Sequence, residues 1–175
     1  MTREQYHEKM ARLERETLEL GQIVGSELMA ALDAVLRRDM QELEGIIAHD
    51  RQINRERLTI EGQLIALITT QQPMAVDMRL LASLLEIVGE IERMGDYVKG
   101  MARIGVRLGD LGVPPDLAPL LVSMARQCQD MLRQALAAFA ERDAETARTI
   151  VAMDDAIDEL YHEVFRTVLA LGAPD

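Results

Sequence analysis

Apolar residues recur in this chain at every third or fourth position over runs of about thirty residues, with only short polar breaks between the runs. Met10, Leu13, Leu20, Val24, Leu28, Ala31 and Val35 share one helical face, which predicts a first helix from about Glu4 to Arg37. Leu43, Ile46, Ile53, Ile60, Leu64 and Leu67 have nearly heptad spacing and predict a second. It stops at TTQQP, because the residue before Pro73 is pushed out of the α region. Pro73 is expected in the first turn of a third helix, whose stripe runs through Met78, Leu81, Leu85, Val88, Val98 and Ala102. The segment GDLGVPP, Gly109 to Pro115, is a break, and two further helices follow, about Asp116 to Ala140 and Asp143 to Leu171. No segment reads as a strand. Helices of about thirty residues are about 45 Å long, and short connections make neighbours antiparallel, so the first three form an up-down-up bundle.

Composition agrees with this and excludes several functions. Apolar residues make up 49% and charged residues 28%, as in a soluble globular chain, and the 3% aromatic content with 11 Met and no Trp favours helices. Lys and Arg number 19 against 30 Asp and Glu, a net charge of −11 that repels phosphate backbones and anionic lipid, so nucleic acid is not the partner. No apolar run approaches the roughly 20 residues of a membrane span, and the opening MTREQYHEKM has no signal core. The lone Cys128 excludes an internal disulfide or thiolate cluster. These features predict a cytoplasmic protein without membrane insertion.

The chain also repeats itself. An offset of 104 residues sets RRDMQELEGIIAHDRQIN (Arg37 to Asn54) against ERDAETARTIVAMDDAID (Glu141 to Asp158). Arg38-Asp39 meets Arg142-Asp143, Ile46 meets Ile150, Asp50 meets Asp154, Ile53 meets Ile157 and Asn54 meets Asp158. Agreement of the turn and of two polar positions within an apolar face exceeds what two unrelated amphipathic helices share. Residues 1–109 are read as a first, three-helix repeat and 116–175 as a second with two helices, since Asp175 falls opposite Gln71. A two-helix hairpin leaves an apolar stripe uncovered, on the order of 20 kcal/mol of gross burial. A longer parent chain, a second copy, or folding of the last two helices onto the first bundle would each cover it; the first two are favoured.

Acidic residues interrupt the stripes. Asp50 sits between Ile46 and Ile53 with Asn54 one turn on, while Glu92 continues the stripe Leu85, Val88 with Asp96 four residues later. With the hairpin centred near residues 72 and 73, residue 54 is level with about 91 and residue 50 with about 95. Three carboxylates and an amide then meet at one height. Like charges and burial raise each other's pKa, so a cation or protons must be present. An all-oxygen donor set suits magnesium, manganese, calcium or oxidised iron. Equally, Arg57 on the stripe and Arg93 beside Glu92 can form a structural ion network. Asp154 and Asp158 repeat the pattern on the fifth helix without a counterpart.

The stretch TTQQPMAVDMRLLASLLEIVGEIERMGDYVKGMARI, Thr69 to Ile104, resembles the PhoU family of phosphate-response regulators. Its QQP-x-A-x-D-x-R segment is Gln71, Gln72, Pro73, Ala75, Asp77 and Arg79, and its E-R-x-G-D segment is Glu92, Arg93, Gly95 and Asp96. The opening YHEKMARLERETLELGQIVG extends the resemblance over nearly the whole chain. The resemblance implies an all-α fold of tandem three-helix bundles, here lacking the last helix, with acidic faces able to hold a metal ion such as iron, manganese or magnesium. Asp50, Asn54, Glu92, Asp96, Asp154 and Asp158 are the implied ligands. It also implies a non-enzymatic, negative regulator of phosphate transport and phosphate-starvation signalling. The implied partners are the ATPase subunit of a phosphate ABC transporter and a membrane sensor histidine kinase, and a homodimer is expected. Two departures stand out: Gly100 replaces the family's Asn four residues after Asp96, and the second repeat has no E-R-x-G-D segment.

A different class of function, iron storage or oxidation by a metal-handling bundle, rests on two E-x-x-H segments, Glu4 to His7 and Glu159 to His162, which resemble di-iron ligands. His49 beside Asp50 is read as a solvated shoulder residue, Asp77 as a helix-dipole residue and Cys128 as core. Met94 and Met101 border an adaptable surface, and Gly89 and Gly95 allow close helix approach. No nucleophilic triad, Walker loop or dinucleotide motif is present, so catalysis has no visible machinery.

Overall fold

A computed structural model of the protein describes residues 1–172, and among them only helices and turns occur. Five long helices, α1 (Arg3–Arg37), α2 (Met40–Gln71), α3 (Ala75–Leu108), α4 (Ala118–Glu141) and α5 (Ala144–Leu171), carry nearly the whole chain. Helices α1 to α3 each pack on the other two, and Leu13, Leu20, Val24, Leu43, Ile53, Leu64, Leu67, Leu81, Leu84 and Val88 fill the space between them. Buried Thr17 adds no unpaired group, since its hydroxyl donates to the Leu13 carbonyl at 2.8 Å.

Local chemistry sets the helix ends. Thr2 and Gln5 form a capping box at the start of α1. Arg38 adopts a left-handed conformation at φ 59°, and Asp39 then caps α2 by accepting from the Glu42 N–H at 3.0 Å. One structural difference from the sequence reading matters: Pro73 lies in the α2–α3 connection, not in the first turn of α3. Gln72 turns left-handed at φ 49° and ends α2, and α3 begins only after Met74. The hairpin centre therefore moves to residue 74. A Cβ on Gly95 would lie 3.5 Å from Ile53, and one on Gly105 would lie 2.9 Å from Leu43.

The second repeat copies the first turn for turn. Arg142 is left-handed at φ 58°, as Arg38 is, and Asp143 caps α5 as Asp39 caps α2. The Asp39 N–H reaches the Ala34 carbonyl at 2.9 Å, and the Asp143 N–H reaches the Ala138 carbonyl at 2.8 Å, both pairs separated by the 104-residue offset. Helix α4 packs antiparallel on α1, where Gly21 and Gly25 admit it: a Cβ on Gly21 would meet Leu136 at 2.8 Å and one on Gly25 would meet Leu132 at 3.2 Å. Gln129 donates to the Gly25 carbonyl at 3.1 Å, and Arg142 pairs with Glu14 at 2.7 Å. Gly25 and Gln129 are equivalent in the two repeats, so the repeats face each other across an approximate two-fold axis between α1 and α4.

This contact corrects the expectation that helices 4 and 5 would depend on a longer chain or a second copy for all their cover. α4 folds back onto the first bundle. α5 packs on α4 and has no fully buried residue, while Val151, Tyr161, Phe165 and Leu169 are more than half exposed. The α3–α4 connection is pinned by Arg38, which donates to the Asp110 carbonyl at 2.8 Å and fills the space a Gly112 side chain would need, at a φ of 65° that itself favours glycine. Asp175, set opposite Gln71 by the repeat, lies outside the described residues.

Gly105 is the tightest crossing in the first bundle. A Cβ there would approach Val35 to 2.6 Å, and a β-branched helical residue has little rotamer freedom to retreat. Gly105→Ala is therefore expected to destabilise the fold by about 1–3 kcal/mol, measured by urea denaturation, whereas Gly100→Ala, with open space ahead of its Cβ, should be neutral or stabilising.

Candidate acidic site between helices 2 and 3

The shifted register decides what meets Asp50. Residue 50 comes level with residue 98, and the next residue meets it: Lys99 Nζ donates to Asp50 Oδ2 at 2.7 Å and to Asp96 Oδ1 at 2.8 Å. Asp50 and Lys99 side chains are only 15% and 19% exposed, so the pair sits in a partly dry seam, while Asp96 lies on the open side at 54%. The two bonds, that to Asp50 first, hold the Lys99 ammonium above its ordinary pKa of about 10.5. A resident cation thus neutralises the acidic pair. Apolar periodicity singles out acids inside the stripes and passes over this lysine. The signal was present in Asp96-x-x-Lys99, an i,i+3 spacing that places the lysine beside the carboxylate.

Asn54 and Glu92 are half-buried, and among the described residues neither has a hydrogen bond or ion pair to Asp50 or Asp96. The two arginines do not answer the acidic face. Arg57 pairs with Glu61 on its own helix at 2.5 Å and leaves its Nε buried without a partner, and Arg93 pairs with Glu90 at 2.8 Å. Tyr97 first, then Glu90, raises the Arg93 pKa. His49 is half-buried and joined to Glu27 of α1, with no tie to Asp50. Asp77 stands beside the buried Tyr6 hydroxyl, whose pKa burial, then Asp77, raises.

On α5, Asp154 and Asp158 are exposed. Asp154 lies close enough to Cys128 to add to the rise in the thiol pKa that burial produces. Glu4 and His7 at the start of α1, and Glu159 and His162 on α5, are all exposed. Among the described residues no three His, Cys, Asp or Glu side chains converge as a metal ion would require. As arranged, the α2–α3 face fits a bound metal only if Lys99 leaves, and the paired E-x-x-H geometry of a di-iron centre is not assembled.

The PhoU domain model matches residues 17–105 and 121–174. The chain belongs to the PhoU family. It is 31% identical over 97% of its length to the phosphate-specific transport system accessory protein PhoU homolog of Streptococcus pneumoniae, of which it covers 78%. It is 28% identical to the homolog of Clostridium acetobutylicum, covering all of this chain and 80% of that protein. The crystal structure of the Streptococcus pneumoniae PhoU regulatory protein superposes with a TM-score of 0.86 at 28% identity, and that of Pseudomonas aeruginosa PhoU with 0.88 at 26%. The alignments cover 95% of this chain and 78% and 79% of those chains.

Removing Lys99 strands a partly buried carboxylate. Lys99→Met should cost about 1–3 kcal/mol, and Asp50→Asn in that background should recover at least half of it in a double-mutant cycle. Because the lysine pKa is raised in the folded state, the pair stabilises fully below about 10.5, and its contribution is lost as pH rises through the higher folded value. The melting temperature of the wild type should thus fall more steeply above pH about 10 than that of Lys99→Met.

Proposed function

We propose that this protein is an accessory regulator of phosphate transport and of phosphate-starvation signalling. The observation that carries the reading is the match to phosphate-specific transport system accessory proteins along 97% of the chain, at 31% identity, in the same helical arrangement. No helix of the described residues is long and apolar enough to cross a membrane, which suits a protein that meets transport components from the cytoplasmic side. Its working parts are helix surfaces. It acts without catalysis, by contact with the ATPase subunit of a phosphate ABC transporter and with a membrane sensor histidine kinase, and it damps both.

Metal enters this proposal as a competitor of Lys99. Asp50, Asn54, Glu92 and Asp96 are oxygen donors of the type that holds iron, manganese or magnesium. An ion there takes over the charge that Lys99 now neutralises, and frees the lysine from the seam. Asp154 and Asp158 form the corresponding half-site on α5.

Two measurements test the reading. Purified protein should retain the transporter ATPase subunit and the cytoplasmic part of the kinase on an affinity column, and loss of the gene should raise phosphate uptake in phosphate-replete cells; absence of both binding and uptake change overturns the proposal. For the metal, Lys99→Met should bind manganese at least about tenfold more tightly than wild type by calorimetry, because a resident cation has been removed. Equal affinity in the two proteins would show that Asp50 and Asp96 are not the ligands.

A further inference from the structure

The groove between α1 and α2 has an apolar floor and acidic walls. Two hollows of about 270 and 560 Å³ run into each other at Glu19 and Ile23. Leu20 and Ile60 are buried beneath and Ile23 stands open at 38% exposure, while Glu16, Glu19 and Glu27 of α1 and Glu56 of α2 form the walls. From Glu16 to Glu27 the groove is about 16 Å long, three helical turns. No Lys or Arg lines either hollow. Arg12 closes one end, paired with Glu16 at 3.4 Å and donating to Gln63 at 2.8 Å, and His49 meets Glu27 at the other.

Among the described residues Glu19 and Glu56 are left without a cation, and Glu56 accepts only from the Gln52 amide, at 2.9 Å. Carboxylates on both walls repel one another across the seam, and the repeated architecture does not call for them. At the 104-residue offset Glu16, Glu19, Glu27 and Glu56 correspond to Leu120, Ser123, Met131 and Leu160, and Ile23 corresponds to Gln127. The α4–α5 pair closes without any of these charges. One groove of the two is thus acidic around an exposed isoleucine. That is the pattern of a recognition surface, in which an apolar anchor supplies burial and the flanking charge selects the partner.

We propose that this groove receives an amphipathic helix of a partner protein whose apolar side is flanked by Lys or Arg. The helix lies along the seam, its apolar residues cover Ile23, and its cations meet Glu19 and Glu56 from opposite sides. The same carboxylates turn away an acidic helix. The inference rests on the regulatory reading for the identity of the partner, the transporter ATPase subunit or the sensor kinase, and on the groove alone for its chemistry.

A fluorescein-labelled amphipathic helix of about 18 Leu and Lys residues serves as the probe, with a Leu and Glu helix as its control. By fluorescence anisotropy the full chain should bind the Leu–Lys helix with a dissociation constant that rises with salt, and should not bind the Leu–Glu helix. Glu19→Lys with Glu56→Lys should weaken binding at least about tenfold and Ile23→Ser at least about threefold. Glu159→Lys with Glu163→Lys makes the same change in net charge at exposed sites on α5 and should leave binding within about twofold. Far-UV circular dichroism verifies that each variant stays helical, and Glu19→Gln with Glu56→Gln serves as a milder probe if the lysine pair does not. No binding of the Leu–Lys helix, or equal losses in the groove and α5 variants, would overturn the proposal. So would a transporter ATPase subunit and a kinase that wild type and groove variants retain alike. If wild type retains neither, the regulatory reading fails, while the peptide result still decides the groove.

Discussion

The placement of the second repeat on the first depends on the close approach of α4 to α1 across Gly21 and Gly25. Twelve residues of α1 are buried, facing α2 and α3 on one side and α4 on the other, because α1 packs both within the first bundle and against the second repeat. At Gly21 the space a side chain would occupy is bounded by Leu136 of α4 at 2.8 Å and by Ile91 of α3 at 3.2 Å, so two neighbours press on one point of the backbone. A larger residue there would drive α4 outward, and α5, which packs on α4, would move with it. Burial falls steeply away from this axis: three residues of α4 and none of α5 are fully buried. Local opening should therefore begin at α5 and leave the first bundle standing, since cooperative units with few buried contacts open first.

The long-range order of the helices was legible in the sequence, while their docking was not. Apolar spacing located all five helices to within a few residues, because a stripe that must face a core leaves the same periodic trace wherever it is buried. The turn Arg38-Asp39 and its copy Arg142-Asp143 were legible for a stronger reason. A left-handed residue followed by a capping aspartate is a local device whose geometry does not depend on tertiary context. The return of α4 onto α1 left no such trace. It depends on the absence of side chains at Gly21 and Gly25, and a helical glycine reads as a stability cost until its neighbour is known.

The site shows how a small error in register becomes a chemical one. The placement of Pro73 differs by only two residues between expectation and structure, but in an antiparallel pair the displacement shifts which side chains stand level. Asp50 then meets Lys99, and the expected cluster of three carboxylates and an amide becomes a lysine bridging two aspartates. Asp50 was legible as an acid that interrupts an apolar stripe. What periodicity could not supply was the identity of the counter-charge, since Lys99, Arg57 and Arg93 all lie within one turn of the seam by sequence and only packing chooses among them.

The two repeats therefore solve one electrostatic problem in two ways. In the first, an aspartate placed within an apolar face is matched by an ammonium from the covering helix, so that burial and neutralisation arrive together and the seam can close. In the second, Asp154 and Asp158 occupy the same places on α5, and among the described residues no helix covers them, so they stand in water, where a carboxylate needs no partner. The net charge of −11 is accordingly uneven in its consequences. In the α2–α3 seam it is locally compensated and structural, whereas along α5 it is uncompensated and available. Closing the α5 face without supplying a cation would move two carboxylates out of water at a cost that apolar contact alone must exceed.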